Sequence, residues 1–123
     1  MMRVLVLCEY PSLNGGERSM LATLDGVRGA GFSIAAAAPR EGPLADAFLA
    51  EGVEVLPFEA HDAGGKRRAQ SRLREELSRL LSQARPDLLH ANSLSLGRLS
   101  GPLAAELGVP GVAHLRDIIK QSA

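Results

Sequence analysis

A strand, a glycine-containing loop and a helix follow one another in the stretch RVLVLCEYPSLNGGERSML, residues 3–21. Its first six residues form a continuous branched-aliphatic run, which is typical of a strand that is covered on both faces. After Gly15 and Gly16, a set of apolar residues at helical spacing begins at Met20. A doubly covered strand that leads into a helix predicts an α/β protein with a parallel sheet.

The same alternation of strand and helix continues to the end of the chain. Further strands are predicted at 32–38, 53–57 and 87–91 and in VPGVAHLRD, residues 109–117. In the helix before this last strand, Gly101 and Pro102 should kink or divide the element. Right-handed crossovers then give a Rossmann-like three-layer sandwich, in which helices cover both faces of about five parallel strands in the order 3-2-1-4-5.

Length, charge and cysteine content limit the class of protein further. The 123 residues suit a single domain over 1–123, and the formal net charge of zero provides no global field for nucleic acid. The single cysteine, Cys8, excludes an internal disulfide framework. The opening apolar run is too short for a membrane span or a signal peptide, so we expect a cytoplasmic protein.

Three polar segments follow strands that flank the predicted reversal of winding, between the first and fourth strands. They are NGGER at 14–18, HANS at 90–93 and HLRD at 114–117. Ligands of such sheets bind beyond the carboxyl ends of the strands at this reversal. We therefore expect the three segments to converge on one binding site.

The glycine loop has two interpretations. Without Cβ atoms, Gly15 and Gly16 let the backbone approach a ligand, and their N–H groups would lie at the positive end of a helix, which suits a phosphate. A flexible turn before a helix is the alternative. Glu17 and Arg18 either cap and cover the first helical turn or contact the ligand, and capping is favoured for Glu17.

The residues of the HANS and HLRD segments also have two interpretations each. His114, where the fifth strand leaves the sheet, could donate a hydrogen bond to a ligand hydroxyl or could simply be a satisfied polar residue. Arg116 and Asp117 could pair with one another. In the HANS segment, Asn92 or Ser93 could cap the following helix.

Sharper motifs are absent from the sequence. The glycine loop lacks the third glycine and the later acidic residue of a dinucleotide fingerprint, and GGK at 64–66 lacks the context of a phosphate-binding Walker loop. Asn14 stands where a phosphatase with a nucleophilic cysteine would carry arginine, so Cys8 is predicted to be a buried, inert thiol. The three histidines have no zinc-ligand spacing, and no metal is expected.

One local cluster of charge is basic. It consists of Lys66, Arg67, Arg68, Arg72 and Arg74. Such a cluster is usually a solvated helix start, and the alternative is contact with anionic lipid headgroups.

With these motifs in view, the sequence resembles the amino-terminal half of family 4 glycosyltransferases. The segment NGGERSMLATLDGVRGAGFSIAAAAPREGPLADAFLAEGVEVLPF is similar to that family's strand, Gly-Gly-x-Glu-Arg loop, helix and second strand. RPDLLHANSLSLGRLSGPLAAELGVPGVAHLRD continues the resemblance, which covers residues 3 to about 117.

The resemblance implies a GT-B enzyme with two Rossmann-like domains, which transfers a sugar from a nucleotide-sugar donor with retention and without a metal cofactor. It implies that Gly15 and Gly16 lie against the donor diphosphate and that His114 contacts the donor sugar as the catalytic residue. The candidates for acceptor or cleft contacts are Glu17, Arg18, His90, Asn92, Ser93, Arg116 and Asp117.

In that family a carboxyl-terminal domain grips most of the donor, and this sequence stops at Ala123 without it. We therefore expect the 123 residues alone to be inactive and the exposed apolar surface to promote self-association. We expect the parent enzyme to act in polysaccharide or cell-envelope assembly. If it contacts lipid, we expect it at the inner face of the membrane. The alternatives are a non-catalytic module that binds a glycan or phosphorylated ligand, and half of a sugar-nucleotide epimerase.

Overall fold

The computed structural model describes residues 2–113, which form one α/β sandwich. Its strands are β1 Met2–Leu7, β2 Phe32–Ala38, β3 Glu54–Pro57, β4 Leu88–Ala91 and β5 Gly111–Ala113. Its helices are α1 Gly15–Ala22, α2 Leu24–Gly29, α3 Pro43–Ala50, α4 Gln70–Ala84 and α5 Leu94–Leu107.

The strands form a single parallel sheet in the order β3-β2-β1-β4-β5, which confirms the predicted architecture. The central strand β1 pairs on one side with β2 and on the other with β4, so that Val6 lies between Ala36 and His90. The winding therefore reverses between β1 and β4, as predicted.

Residues along β1 alternate between two apolar clusters. Leu5 and Leu7 belong to the cluster that contains the apolar stripes of α4 and α5. Val4 and Val6 belong to the cluster with residues of α1, α2 and α3, in which Phe48 is fully buried. This alternation buries both faces of the strand, which explains its continuous apolar run.

The helical spacing of the apolar residues from Met20 to Val27 predicts one continuous first helix. Two helices differ from what the sequence predicts. The first is interrupted, because the Thr23 hydroxyl donates a hydrogen bond of 2.7 Å to the carbonyl of Met20 and its N–H also bonds that carbonyl, so the chain starts again as α2. The division of α5 at Gly101–Pro102 was wrong, since α5 is continuous through Pro102. Leu99 and Leu103 pack into the same cluster on either side of the proline, which holds both halves in one helix.

The turn before α3 fixes the loop that follows β1. Gly42 has φ +128°, and a Cβ there would lie 2.8 Å from the Cβ of Pro11 and 2.9 Å from its carbonyl oxygen. The Leu44 N–H donates to that same carbonyl at 2.9 Å. Glycine is therefore required at this position, and the loop after β1 is held against the start of α3.

Candidate functional site

The loops after β1 and β4 meet at the reversal of winding. The chain leaves β4 through Asn92, whose backbone N–H donates to the carbonyl of Leu7 at 2.9 Å. A Cβ on Gly16 would lie 4.0 Å from Nδ2 of Asn92. The NGGER and HANS segments are thus neighbours. The third segment, with His114, Arg116 and Asp117, lies outside the described residues, and its role stays a prediction.

The start of α1 presents backbone N–H groups to this junction. The helix begins at Gly15 and follows Asn14 as its N-cap residue. Arg18 is the residue whose N–H bonds back to the Asn14 carbonyl, at 2.9 Å, so the N–H groups of Gly15 and Gly16 precede the intrahelical hydrogen bonds. The positive end of the helix dipole therefore lies where the predicted phosphate would bind.

Packing among residues 2–113 does not require glycine at position 16. Gly16 has no positive φ, and a Cβ at this position would meet Asn92 at an ordinary van der Waals distance. Glycine at this position therefore carries a helix-propensity cost without an internal steric reason. The missing Cβ leaves room for a ligand to approach the backbone closely.

The two charged residues that follow the glycines hold the loop in place. The buried carboxylate of Glu17 accepts a hydrogen bond of 2.9 Å from the N–H of Asn14, which is the predicted capping interaction. The guanidinium of Arg18 folds back and donates from Nε to the carbonyl of Leu13 at 2.9 Å. Both side chains therefore stabilise the approach to α1, and ligand contact by either stays a prediction.

The side chain of Asn92 is buried and has no hydrogen-bonding partner among residues 2–113. It is 6% exposed, and neither Nδ2 nor Oδ1 bonds to any group in the described part of the chain. An unpaired buried amide costs about 1–3 kcal/mol, so such groups usually have a structural or functional explanation. Its position beside the first turn of α1 places this unused donor and acceptor at the predicted ligand site.

Ser93 and His90 have structural roles of their own. The Ser93 hydroxyl accepts a hydrogen bond of 3.1 Å from the Leu96 N–H, so this serine is the predicted N-cap of α5. The same hydroxyl donates to Oε1 of Glu9 at 3.3 Å. His90 is half-buried inside β4, opposite Val6. Their assignments as cleft contacts remain predictions.

Glu9, which was not among the residues predicted for the site, connects three loops. This glutamate lies two residues after the end of β1 and is 5% exposed. Its Oε2 lies 3.3 Å from Nη1 of Arg67 and 3.5 Å from Nε2 of His61. The Arg67 guanidinium also donates to the hydroxyl of Ser95 on α5. A carboxylate placed directly after an apolar strand was the available signal, but its partners are far away in sequence.

The basic cluster is therefore only partly a solvated helix start. Helix α4 begins at Gln70, after Lys66, Arg67 and Arg68. Arg67 bonds to Glu9, and Nη1 of Arg68 lies 3.8 Å from Glu76.

Within residues 2–113, no helix is long and apolar enough to cross a membrane.

Cys8 is a buried thiol, as predicted. It is 1% exposed, and its backbone N–H bonds to the carbonyl of Ala37 at 2.9 Å. Burial, and to a smaller extent the negative charge of Glu17, raises the pKa of the thiol far above its ordinary value. The thiol is therefore protonated at neutral pH and is a poor nucleophile.

The fold resembles about a third of the chain in each of several solved structures. MurG from Acinetobacter baumannii matches with a TM-score of 0.69 at 14% identity, over 93% of this chain and 35% of that one. HepE (Alr3699) from Anabaena, in complex with UDP and glucose, matches with a TM-score of 0.69 at 14% identity, over 93% of this chain and 29% of that one. The spinosyn rhamnosyltransferase SpnG, complexed with spinosyn aglycone, matches with a TM-score of 0.60 at 22% identity, over 92% of this chain and 34% of that one.

These likenesses define a Rossmann-like domain of the GT-B class, and the chain spans about a third of the length of the matched structures. Residues 14–122 match the model of the glycosyl transferase 4-like domain, so the chain belongs to that family. The family resemblance predicted from the two quoted segments is thereby confirmed. No curated protein is significantly similar to this chain in sequence.

Proposed function

We propose that this chain is the acceptor-side, amino-terminal domain of a retaining glycosyltransferase, which transfers a sugar from a nucleotide-sugar donor to a glycan or lipid-linked acceptor. The observation that carries the proposal is the buried amide of Asn92, unpaired among residues 2–113, beside the N–H groups of Gly15 and Gly16, which precede the intrahelical hydrogen bonds of α1. Membership of the glycosyl transferase 4-like family supports it. So do the ligands named for the similar structures, which include UDP, UDP-glucose and an aglycone.

The chemistry needs oriented positive charge near the donor phosphates. When the bond between the sugar and the nucleoside diphosphate breaks, negative charge grows on the departing phosphate oxygens. Fixed N–H groups of Gly15 and Gly16, at the positive end of α1, would stabilise that charge without reorganising. Phosphate oxygens only accept hydrogen bonds, whereas Asn92 offers a donor and an acceptor, so its amide suits a sugar hydroxyl next to the phosphates.

The remaining roles belong to the whole enzyme. We propose that a second domain grips the nucleotide, that His114 contacts the donor sugar, and that transfer needs no metal cofactor. In this view the 123 residues alone bind ligand weakly and do not transfer sugar. The enzyme would work in the cytoplasm, in polysaccharide or cell-envelope assembly.

Titration with UDP-glucose, followed by amide NMR, tests the donor site on the chain itself. We expect shifts at the backbone amides of Gly15 and Gly16 and at the side-chain amide of Asn92. The variant Asn92→Leu should lose this response, because it removes the hydrogen-bonding groups but retains the volume. The matched control Gln83→Leu changes an exposed amide on α4 and should respond like the unchanged chain. Unchanged shifts at the glycine loop in the presence of UDP-glucose would contradict the proposal.

We propose that transfer needs a second, donor-binding domain in addition to this chain, so activity is tested on a protein that carries both. With UDP-glucose and candidate acceptors, His114→Ala should lower transfer about 100-fold or more, if the residue contacts the reacting sugar. The anomeric configuration of the product, determined by NMR, tests retention. An inverted product would contradict the retaining mechanism and leave the donor site intact.

A non-catalytic binding module is the second candidate, and the open cleft described below favours it. Calorimetry distinguishes the two. A binding module takes up its glycan tightly as the isolated chain, whereas half of an enzyme binds its donor and acceptor weakly.

A further inference from the structure

A cleft of about 670 Å³ lies beyond the carboxyl ends of β1, β2 and β3, on the opposite side of β1 from Asn92. This volume falls in the range of small-molecule sites. Its principal polar and aromatic lining residues are Tyr10, Arg40, Glu41, Glu59, His61 and Asp62, with Glu9 beside them. We call it the Tyr10 cleft.

One wall of the Tyr10 cleft is a fixed aromatic surface. The rings of Tyr10 and His61 stack with centroids 5.4 Å apart and an interplanar angle of 22°. The contact between His61 and the buried Glu9 carboxylate holds the second ring, while Tyr10 remains 45% exposed. An accessible flat ring with a hydroxyl at its edge suits the C–H face of a sugar ring and one of its hydroxyl groups.

The other walls carry carboxylates that are held by the backbone. Oε2 of Glu59 accepts from the Arg40 N–H at 2.7 Å, and Oδ1 of Asp62 accepts from the N–H groups of Gly64 and Lys66 at 2.9 and 3.0 Å. Each interaction uses one oxygen and fixes the carboxylate in position. The Glu41 carboxylate has no partner among residues 2–113. Acceptor oxygens therefore surround the aromatic wall.

Charge decides which sugars such a cleft accepts. Among the described residues it is lined by four carboxylates and one arginine, and the Glu9 carboxylate is compensated by Arg67. The net charge of the remaining lining residues is negative. A concave site with charge of one sign repels ligands that carry charge of the same sign. A phosphorylated or carboxylated sugar would be disfavoured, and a ring that offers hydroxyl or ammonium donors would be favoured.

We propose that the Tyr10 cleft is the acceptor subsite and that it selects a sugar ring without an anionic group, with an amine-bearing ring preferred over a neutral one. This inference rests on the proposed function, because it assigns the acceptor side of the transferase. It adds the chemical class of the acceptor, and it concerns residues separate from the glycine loop.

Amide NMR titration of the chain with four monosaccharides tests the selection. The probes are glucosamine, methyl glucoside, glucuronic acid and glucose 6-phosphate, each followed at the amides of Tyr10, Arg40 and Glu41. We expect binding in the order amine, neutral, anionic, with roughly tenfold between the first and the last at low salt. The difference should shrink at high salt, because surface charges are screened.

Two variants locate the effect. Glu41→Gln, which changes an exposed carboxylate of the cleft, should reduce the preference for glucosamine over glucose 6-phosphate. The control Glu106→Gln changes an exposed carboxylate near the end of α5 and should leave the preference unchanged. Equal or tighter binding of the anionic probes, or no cleft shift with any probe, would overturn the inference.

The outcomes separate this inference from the proposed function. UDP-glucose could shift the amides of Gly15 and Gly16 while anionic sugars bind best in the cleft. That result would contradict only the proposed class of acceptor. The expected order of sugars without any response of the glycine loop would retain the cleft as a sugar site and remove the donor site.

Discussion

The two sides of β1 differ although they lie at the same edge of one sheet. On the β4 side, the glycine loop brings the first N–H groups of α1 next to Asn92, whose amide has no partner within residues 2–113. On the β2 side, the Tyr10 cleft is open and carries fixed carboxylates. The positive end of α1 suits an anion, whereas the carboxylates of the Tyr10 cleft disfavour one.

Glu9 lies between the two sides and belongs to both. It accepts from Ser93 at the start of α5 and pairs with Arg67 and His61 of the loop between β3 and α4. A single buried carboxylate therefore sets the positions of the cleft wall and of the segment after β4. Changes near Glu9 should alter both sides, whereas changes further away should alter only one.

The largest effect is expected at the turn that holds the Tyr10 cleft. Gly42→Ala places a methyl group within 3 Å of Pro11 in a backbone conformation that alanine rarely adopts, and should lower the free energy of unfolding by about 3 kcal/mol or more. Urea denaturation measures this. The control Gly26→Ala lies in α2 with open space around it and should be neutral or stabilising. Equal stability of the two variants would contradict the close contact.

Removal of the Glu9 charge should have the next largest effect. Glu9→Gln weakens the contacts with Arg67 and His61 and should destabilise the chain by about 1–3 kcal/mol, since Arg67 is partly exposed and can regain water. The Tyr10 and Ser93 amides should shift together in NMR spectra. Glu41→Gln, in the same cleft, should change stability by less than about 0.5 kcal/mol. A shift confined to one side of β1 would show that Glu9 does not couple them.

Replacement of Asn92 should not destabilise the chain, in contrast to the changes at Gly42 and Glu9. Asn92→Leu removes an unpaired buried amide, so thermal or urea unfolding should reveal unchanged stability or a gain of up to about 1 kcal/mol. A residue kept for packing would instead lose stability on replacement. A loss of more than about 2 kcal/mol would indicate a structural partner for the amide and would argue against a ligand role.

The smallest effect near neutral pH is expected at Cys8. Because burial raises the pKa of this thiol, the unfolded chain loses the proton first, and the free energy of unfolding should fall only as the pH rises above about 8.5. Iodoacetamide should label the native chain slowly at pH 7.5 and rapidly in urea. Fast labelling of the native chain would contradict the burial.

Local patterns in the sequence were sufficient for most of the fold. The boundaries of β2 and the start and end of α3 follow from Gly31, Pro39, Pro43 and Gly52, because these residues act on the backbone within a few positions. The continuity of α5 through Pro102 did not follow, since contacts with the sheet decide it. The interruption at Thr23 depends on one hydroxyl that a periodicity of apolar residues does not register.

The sequence by itself determined that strands and helices alternate, that the winding reverses beside the glycine loop, and that Glu17 caps the first helix. Each of these depends on spacing or on neighbours along the chain. Only the tertiary structure joined Glu9 to Arg67, stacked Tyr10 on His61 and buried Asn92 without a partner in the described part of the chain. Those arrangements depend on residues about 50 or more positions apart, or on the absence of a partner, and local chemistry specifies neither.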